Sequence, residues 1–471
     1  MPQFFCRRPG LQGEEAPGPG ICRLPYPGQP SAGLPPGGRT QSAFRSGRLP
    51  RGGRDPYRGR TCVRLGCHDA ADAGGPSPLV PGECRGGRQR QLRGVARLLA
   101  IHHSSARRSP AIEAQGTPAA LRRRWTDNLD ALKDFRNSVV DSDLLDEIQD
   151  RALRYVDGRH PLLAARIAAG RIRDGHGDLL ADDIFCLPDG PRVLDCLEFD
   201  GALRAVDGLD DAACLAMDLE RLGAADLAER FLNWFSEFSG ESRTDSLIHH
   251  YIAYRAVVRL KVACLRWGQG DDDSAVTVQT LADLAAAHLR RSEPRLVLIG
   301  GSPGTGKSTV AAGLADRLGG VLVRSDRLRK EGAGLWPQQH AGDTWQTGLY
   351  APAVSEATYE EMIARAGRLL GHGETVVLDA GWSTKDLRRR ARAVAAASES
   401  LISEVRCSAT PDLVDARIER RRVTEDPSDA TPEVARRIEL AFEPWPEATE
   451  LNTNASLPVT LQEAVDLVIQ R

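Results

Sequence analysis

Residues 295–309 read RLVLIGGSPGTGKST, an apolar run followed at once by a glycine-rich turn with the spacing G-x-x-x-x-G-K-S. The apolar part predicts a buried β-strand, and residues 307–318 predict the helix that follows the turn. Glycines let backbone N–H groups turn toward a phosphate, and the helix N-terminus adds partial positive charge. A glycine-rich turn without a ligand is the alternative, but a strand and a helix on its two sides favour a site for a nucleoside triphosphate.

The spacing also assigns roles within this Walker A loop. We expect Lys307 to reach the β- and γ-phosphates and Ser308 to bind Mg²⁺. The residues expected to contact ATP are Gly301, Ser302, Pro303, Gly304, Thr305, Gly306, Lys307, Ser308 and Thr309.

Composition limits the remaining possibilities. A chain of 471 residues predicts two or three domains, and a formal net charge of −2 gives no general bias toward nucleic acid or an anionic membrane. No stretch approaches a run of 18 apolar residues, the N-terminus does not have the order of a signal peptide, and the cysteines lack C-x-x-C spacing. A cytoplasmic enzyme is the predicted class.

Three segments of different character follow one another. Residues 1–91 are predicted to be disordered, because residues 1–90 contain 18 Gly and 14 Pro without a period of 2 or 3.6. Residues 92–290 are predicted to be mainly helical, apart from a strand pair over 183–198. Residues 291–471 alternate strands and helices. The expected fold class is therefore α/β, with a doubly wound parallel sheet at the C-terminus.

Individual elements are predicted from their apolar spacing. In the middle segment the expected helices are 92–102, 118–140, 144–156, 161–169, 224–238, 249–267 and 277–290. In the C-terminal segment the expected strands are 295–300, 321–324, 375–379 and 402–407, and the expected helices are 307–318, 353–370, 384–397 and 411–421.

Acidic residues stand at the predicted carboxyl ends of two strands. Asp379 ends the run Thr375-Val-Val-Leu-Asp and is placed to hold Mg²⁺ beside Ser308, although a strand-terminal Asp can also simply begin a turn. Asp326 follows the second strand, where a carboxylate can accept a proton from an attacking hydroxyl. Arg329, one helical turn later, can hold an acceptor or a phosphate. The alternative is that Asp326 only caps a short helix.

Arginines recur on the helix predicted over 411–421. Arg417 and Arg421 are four residues apart on one face and precede the polar stretch Ser428-Asp429-Ala430. Such a face suits a lid that closes over a transferring phosphate. A solvated charged helix face is the alternative.

The C-terminal motifs together resemble small P-loop kinases of the zeta-toxin, polynucleotide-kinase and gluconate-kinase group, often described as AAA_33 domains. The resemblance covers about residues 294–471. It implies transfer of the γ-phosphoryl group of ATP to a hydroxyl, with Asp326 as the base, and it leaves the acceptor unidentified.

A second signature lies in the middle segment. Residues 175–179 read GHGDL, and Asp195 follows a predicted hairpin. This pattern resembles the catalytic and metal loops of aminoglycoside and choline phosphotransferases. The resemblance implies that Asp178 accepts the substrate proton, that Asp183 binds metal where the family usually has Asn, and that Asp195 bridges Mg²⁺. Residues 92–471 as a whole resemble bacterial two-part proteins that join such a region to a P-loop kinase.

That family also needs an N-terminal lobe with a strand lysine, and residues 1–90 contain no lysine. Gln12, Glu14 and Glu15 are each followed by a residue whose codon begins with G, so translation one base later permits Lys or Arg at all three places. We therefore expect residues 1 to about 90 to be out-of-frame translation, which leaves the first kinase-like region incomplete.

The main prediction is an ATP- and Mg²⁺-dependent phosphotransferase that acts on a small-molecule hydroxyl through its C-terminal domain. A regulatory module that binds ATP without transferring phosphate is the alternative. A nucleic-acid end kinase is ranked below both, because no basic patch interleaved with aromatic residues is present. No membrane partner is expected, and the pattern identifies no protein partner.

Overall fold

The computed structural model describes residues 4–5, 63–64, 81–187, 190–336, 348–421 and 432–469. Most of the segment predicted to be disordered, residues 1–91, therefore lies outside the described residues. Its last part corrects the prediction, because the first helix begins at Pro81 rather than near Leu92. Residues 81–91 contain no apolar period, so the spacing that predicts the later turns of this helix does not reach its first ones.

Seventeen α-helices lie within the described residues. They are α1 (Pro81–Ser105), α2 (Pro110–Glu113), α3 (Pro118–Asp130), α4 (Ser142–Gly158), α5 (His160–Ala168), α6 (Gly201–Arg204), α7 (Gly208–Arg221), α8 (Ala225–Ser239), α9 (Asp245–Gly268), α10 (Ser274–Ser292), α11 (Lys307–Leu318), α12 (Ser325–Gly332), α13 (Pro352–Gly371), α14 (Lys385–Ala397), α15 (Pro411–Arg421), α16 (Pro432–Leu440) and α17 (Leu457–Ile469). None of them is both long and apolar enough to cross a membrane.

Eleven strands lie in the same described ranges. They are β1 (Phe4–Phe5), β2 (Val63–Arg64), β3 (Ile172–Asp174), β4 (Ile184–Leu187), β5 (Gly190–Leu194), β6 (Ala205–Asp207), β7 (Arg295–Gly300), β8 (Val321–Arg324), β9 (Val376–Asp379), β10 (Leu401–Ser408) and β11 (Thr449–Asn452). The strand pair predicted over 183–198 corresponds to β4 and β5, which pair antiparallel.

Backbone proximity divides the chain into two compact units, each made of two pieces of sequence. Unit 1 comprises Met1–Arg107 and Arg173–Glu241, and unit 2 comprises Arg108–Ile172 and Ser242–Arg471. The division predicted from sequence, with boundaries near residues 92 and 291, partitions the chain differently and stays a prediction.

Unit 1 is built around α1, α7 and α8, which pack on one another. Val95 of α1, Leu215 of α7 and Phe231 of α8 are fully buried in this core. Beside the helices lies a four-stranded sheet in the order β1-β5-β4-β2. Helix α7 was not predicted, because every position from Gly208 to Leu219 is buried and its acidic residues, Asp211 and Asp218 among them, do not mark a solvated face.

Unit 2 contains a five-stranded sheet in the order β11-β10-β7-β9-β8, and all of its pairings are parallel. Alternate residues of β7 point to opposite faces. Leu296 and Leu298 belong to a core cluster with α13 and α14, whereas Val297 and Ile299 belong to a cluster with α11 and α17. Helices therefore cover both faces, and the predicted doubly wound parallel sheet is confirmed.

Helices from the middle of the chain also belong to unit 2. Arg159, between α4 and α5, is fully buried and donates hydrogen bonds to the carbonyl oxygen of Ser398 at 2.6 Å and to Ser400 Oγ at 3.0 Å. Burial lowers the pKa of this guanidinium to about 10, and Tyr155 and Glu399 oppose that change. The junction of α4 and α5 is thus fixed to the segment between α14 and β10.

Candidate active site

The glycine-rich turn between β7 and α11 depends on backbone angles that only glycine adopts easily. Gly301, Gly304 and Gly306 have φ values of 131°, 87° and 86°. An added Cβ would lie 2.6 Å from the carbonyl oxygen of Cys407 at Gly301, and 2.7 Å from a methyl group of Val414 at Gly304. The turn is therefore held both by its own conformation and by close contact with β10 and α15.

Helix α11 begins at Lys307, directly after the turn. Gly306 is its N-cap and offers no side chain to bond the first N–H groups. Those groups and the partial positive charge of the helix end suit a bound phosphate. The predicted nucleotide residues 301–309 therefore form the turn after β7 and the first residues of α11.

Asp379 ends β9, the strand beside β7, and only 4% of the residue is exposed. Burial raises the pKa of its carboxyl, while Lys307, Ser308 and Arg324 oppose the rise. Its Oδ1 atom is buried and has no hydrogen-bond partner among the described residues. A buried carboxylate oxygen without a partner, beside a serine hydroxyl, fits the oxygen ligands that Mg²⁺ prefers.

Asp326 lies in the first turn of α12, immediately after β8. Its Oδ1 atom accepts a hydrogen bond of 2.8 Å from Nη1 of Arg329, one turn later. The N-cap of this helix is Arg324, without a side-chain capping bond. Asp326 also acts electrostatically on Asp379. Sequence spacing predicted only that Arg329 lies one helical turn after Asp326 and holds an acceptor or a phosphate. In the structure Arg329 pairs with Asp326, and its role toward an acceptor stays a prediction. Asp326 and Asp379 lie at the same end of the neighbouring strands β8 and β9.

Tyr359 of α13 was not predicted to belong to the site. Its hydroxyl oxygen accepts hydrogen bonds from the backbone N–H groups of Gly381, at 3.1 Å, and Trp382, at 3.3 Å. Trp382 has a φ of 56°, which is unfavourable for a residue with a side chain, and it is fully buried against the Tyr359 ring. Tyr359 therefore holds the turn that follows Asp379.

Arg417 of α15 lies against the outer side of the glycine-rich turn. Nη1 donates to Thr453 Oγ1 at 2.9 Å, and Nη2 donates to the Thr453 carbonyl oxygen at 2.7 Å. An added Cβ at Gly306 would lie 3.3 Å from the same guanidinium. Arg421 ends α15, and its side chain and the predicted lid stretch 428–430 lie outside the described residues.

A segment that we call the strap, residues 439–445, also contacts the turn and was not predicted. Glu439 accepts hydrogen bonds from Ser302 Oγ and from Arg406 of β10. Trp445 packs on Gly300, where an added Cβ would lie 2.3 Å from the indole ring. No local pattern could have revealed these contacts, since Ser302 and Glu439 are 137 residues apart.

The second predicted site lies in unit 1. The backbone N–H groups of His176 and Gly177 donate to the two carboxylate oxygens of Asp211, at 2.7 and 2.9 Å. Asp211 is fully buried and also pairs with His103 Nε2 at 2.9 Å. The turn that carries Asp178 is thus held by a carboxylate of α7 that sequence analysis missed.

Of the two predicted metal ligands of unit 1, Asp195 lies near enough to this turn to act on His176. Asp178 and Asp195 both raise the pKa of His176 electrostatically, although burial is the larger effect and lowers it. Asp183 ends a short 3₁₀-helix, Ala181–Asp183. Within the described residues, no three His, Cys, Asp or Glu side chains form a group suited to a metal ion. The assignment of Asp183 and Asp195 as metal ligands stays a prediction.

Comparison with known proteins agrees with the C-terminal geometry. Residues 296–445 match the AAA domain family AAA_33. The uncharacterized protein Rv2004c of Mycobacterium tuberculosis is 41% identical over 362 residues, which are 77% of this chain and 72% of the relative. An uncharacterized protein of Mycobacterium bovis matches to the same extent. The chain belongs to the same family as these mycobacterial proteins. Its C-terminal part is a P-loop domain of the AAA_33 type.

Solved structures also align with part of the chain. A gluconokinase from Sinorhizobium meliloti is 17% identical, covers 38% of this chain and 93% of its own, and has a TM-score of 0.26. The Mycobacterium tuberculosis APS kinase CysC, solved with AMPPNP and APS, is 22% identical, covers 37% of this chain and 97% of its own, and has a TM-score of 0.28.

Proposed function

We propose that the protein is a cytoplasmic, ATP-dependent phosphotransferase that acts on a hydroxyl group of a small molecule through its P-loop domain. The supporting observation is the position of Asp326, which Arg329 holds at the same sheet edge as Asp379 and the glycine-rich turn. A domain that only senses ATP needs no second carboxylate at this point. An acceptor hydroxyl that approaches the γ-phosphate needs one.

In the proposed reaction, the acceptor oxygen forms a bond to the γ-phosphorus of ATP. The bond from that phosphorus to the β,γ-bridging oxygen breaks, ADP leaves, and the hydroxyl proton passes to the carboxylate of Asp326. Lys307 and the backbone N–H groups of Gly304, Gly306 and Ser308 stabilise the negative charge on the phosphate oxygens. Ser308 and Asp379 would hold Mg²⁺, which neutralises charge on the β- and γ-phosphates when it is bound.

For the helical region we propose an incomplete phosphotransferase site that resembles the aminoglycoside enzymes. The hydrogen bonds from His176 and Gly177 to Asp211 support this, because they orient the turn that carries Asp178. We further propose that residues 1 to about 90 are out of frame, so that the lobe with the strand lysine is missing. Resequencing the 5′ end of the gene tests the second point directly.

The decisive experiment is a phosphate-transfer screen with ATP and a library of small hydroxyl compounds, read by mass spectrometry. The proposal expects one acceptor class to gain 80 mass units and to accelerate ATP turnover, and it expects Lys307→Ala to abolish both. Turnover that no acceptor accelerates would instead support the regulatory module. Transfer to 5′-hydroxyl oligonucleotides alone would support a nucleic-acid end kinase.

A further inference from the structure

Thr453, the residue directly after β11, makes several hydrogen bonds through its backbone and its side chain. Only 3% of the residue is exposed. Its backbone N–H donates to the carbonyl oxygen of Ser408, at the end of β10, at 2.9 Å. Its hydroxyl lies 2.7 Å from the carbonyl oxygen of Thr305, within the glycine-rich turn. Thr453 therefore joins the ends of two strands to that turn.

Arg417 completes the arrangement from α15. Its Nη1 donates to Thr453 Oγ1 at 2.9 Å, so the hydroxyl accepts one bond. Two carbonyl oxygens lie within reach of the single hydroxyl proton, that of Thr305 at 2.7 Å and that of Ser408 at 3.1 Å, and the shorter distance favours Thr305. Its Nη2 donates to the Thr453 carbonyl oxygen at 2.7 Å. A hydroxyl that accepts from a charged guanidinium and donates to a carbonyl has both of its roles filled.

The Thr453 hydroxyl connects the carbonyl oxygen of Thr305 with the guanidinium of Arg417. Thr305 stands two residues before Lys307, and its carbonyl oxygen fixes the peptide plane that leads into Gly306. Arg417 belongs to the helix that leads into the segment predicted to close over phosphate. Removal of the Thr453 hydroxyl therefore removes one hydrogen bond to the glycine-rich turn and one to Arg417 of α15.

We propose that Thr453 is a positioning residue of the nucleotide site, which fixes the glycine-rich turn through Thr305 and orients Arg417 toward the same turn. This inference rests on the proposed function, because it assigns the turn to ATP. It names a residue that neither the P-loop spacing nor the predicted lid arginines include. Thr453 itself would touch neither the phosphates nor the acceptor.

The test compares Thr453→Val with Thr453→Ser and uses Thr460→Val as a matched control. Thr460 of α17 is 2% exposed, and its hydroxyl has no hydrogen-bond partner among the described residues, so this control removes a buried hydroxyl that connects nothing. Binding of the magnesium complex of AMPPNP is measured by calorimetry on the full chain. Thr453→Val is expected to weaken binding about tenfold, which corresponds to about 1.4 kcal/mol. Thr453→Ser and Thr460→Val are expected to stay within about threefold of the unchanged protein, because serine keeps the hydroxyl and the Thr460 hydroxyl bonds none of the described residues.

A double-mutant cycle separates positioning from simple destabilisation. If Thr453 acts partly through Arg417, the loss caused by Thr453→Val must shrink in an Arg417→Ala background, whereas a purely structural loss would add. Equal affinities for Thr453→Val and the unchanged protein would overturn the inference, and so would a serine variant as weak as the valine variant. Failure of every acceptor in the transfer screen would contradict the proposed function but leave this binding result intact.

Discussion

The Nε atom of Arg324 lies 3.3 Å from Oδ2 of Asp379, at the point where the neighbouring parallel strands β8 and β9 end. The two atoms form an ion pair, but neither Arg324 Nε nor Oδ1 of Asp379 has a hydrogen-bond partner in the part of the chain that the structure describes. The carboxylate is therefore buried with incomplete compensation, which agrees with its raised pKa. A buried carboxylate of this kind is expected to lower the free energy of unfolding of the protein without ligand. A bound cation is expected to reverse that loss.

The substitution Asp379→Asn tests whether the buried carboxylate destabilises the free protein and stabilises the protein that has bound Mg²⁺ and ATP. Without nucleotide, the amide removes a buried charge, so the free energy of unfolding should rise by about 1 kcal/mol. The stabilisation that Mg²⁺ and ATP give the unchanged protein should largely disappear. Thermal unfolding with and without the magnesium nucleotide measures both, and exposed Asp316→Asn serves as the control. A variant less stable than the unchanged protein in the absence of nucleotide would show that the carboxylate is structural.

Asp326→Asn separates the proposed base from a purely structural carboxylate. The amide oxygen can still accept the hydrogen bond from Arg329, so the fold and the affinity for ATP should remain near normal. Transfer to the acceptor should fall by about 10²- to 10⁴-fold, the range expected on loss of a general base. Rapid-quench measurement of transfer, beside calorimetry of ATP binding, gives the two values. Full transfer by this variant would exclude Asp326 as the base.

Gly301→Ala should lower the free energy of unfolding more than the same substitution does at another glycine with a positive φ. The new Cβ would lie 2.6 Å from the carbonyl oxygen of Cys407, and the φ of 131° is unfavourable for alanine. We expect a loss of about 3 kcal/mol in the free energy of unfolding. Gly319→Ala is the control, because its φ is 60° and an added Cβ meets nothing within 4 Å. Equal losses for the two variants, measured by urea unfolding, would contradict this account.

Acid should destabilise the helical part of unit 2 through two histidines. Burial lowers the pKa of His249 and of His250 to about 3, against a model-peptide value of about 6.5. The unfolded chain therefore binds more protons between these values, and stability falls as the pH decreases from 6.5 toward 3. At pH 5 each histidine should cost about 2 kcal/mol relative to pH 7.

His250→Gln tests that account at one of the two positions. Glutamine can still accept the hydrogen bond of 3.0 Å that Trp125 Nε1 donates to His250. The difference in unfolding free energy between pH 7 and pH 5 should then shrink by about 2 kcal/mol. Exposed His372→Gln provides the comparison. An unchanged pH dependence in the His250 variant would show that the unfolding transition does not include this residue.

Asp178→Ala should leave ATP turnover by the present chain almost unchanged, because residues 1–90 supply no lysine for a second nucleotide site. In a frame-restored chain the same substitution should reduce turnover at that site. The measurement is steady-state turnover for both chains, each with and without the substitution. Loss of ATP turnover on Asp178→Ala in the present chain would mean that the site of Asp178 is complete without a lysine from residues 1–90.

Apolar spacing in the sequence predicted many helices and strands of unit 2, but it predicted few of the contacts around the candidate active site. The bounds of β7, β8, α11 and α15 agree with the predicted ranges, because an apolar run bounded by glycine or a helical period is visible within a few residues. Strand β11 was missed, since four residues with an exposed Glu450 carry too short an alternation.

Sequence is informative about the site where spacing is local, as in the Walker A loop that carries Lys307 and Ser308, and the roles of these residues stay predictions. The site was not predictable where distant residues hold those groups in place. Thr453 is 148 residues from Thr305, and Tyr359 is buried under a turn on another element. A hydroxyl that bonds a backbone oxygen leaves no periodic trace in sequence, so only the folded chain reveals it.

The division of unit 2 into two pieces of sequence has a consequence for synthesis. Arg159 leaves the ribosome 239 residues before Ser398, whose carbonyl oxygen it bonds. At about 5–20 residues per second, that interval lasts roughly 10–50 seconds. During this time the first piece, residues 108–172, has been made while most of its own unit has not. Trp125 and Tyr155, which are buried in the finished unit, therefore lack their contacts with His250 until the second piece has been made.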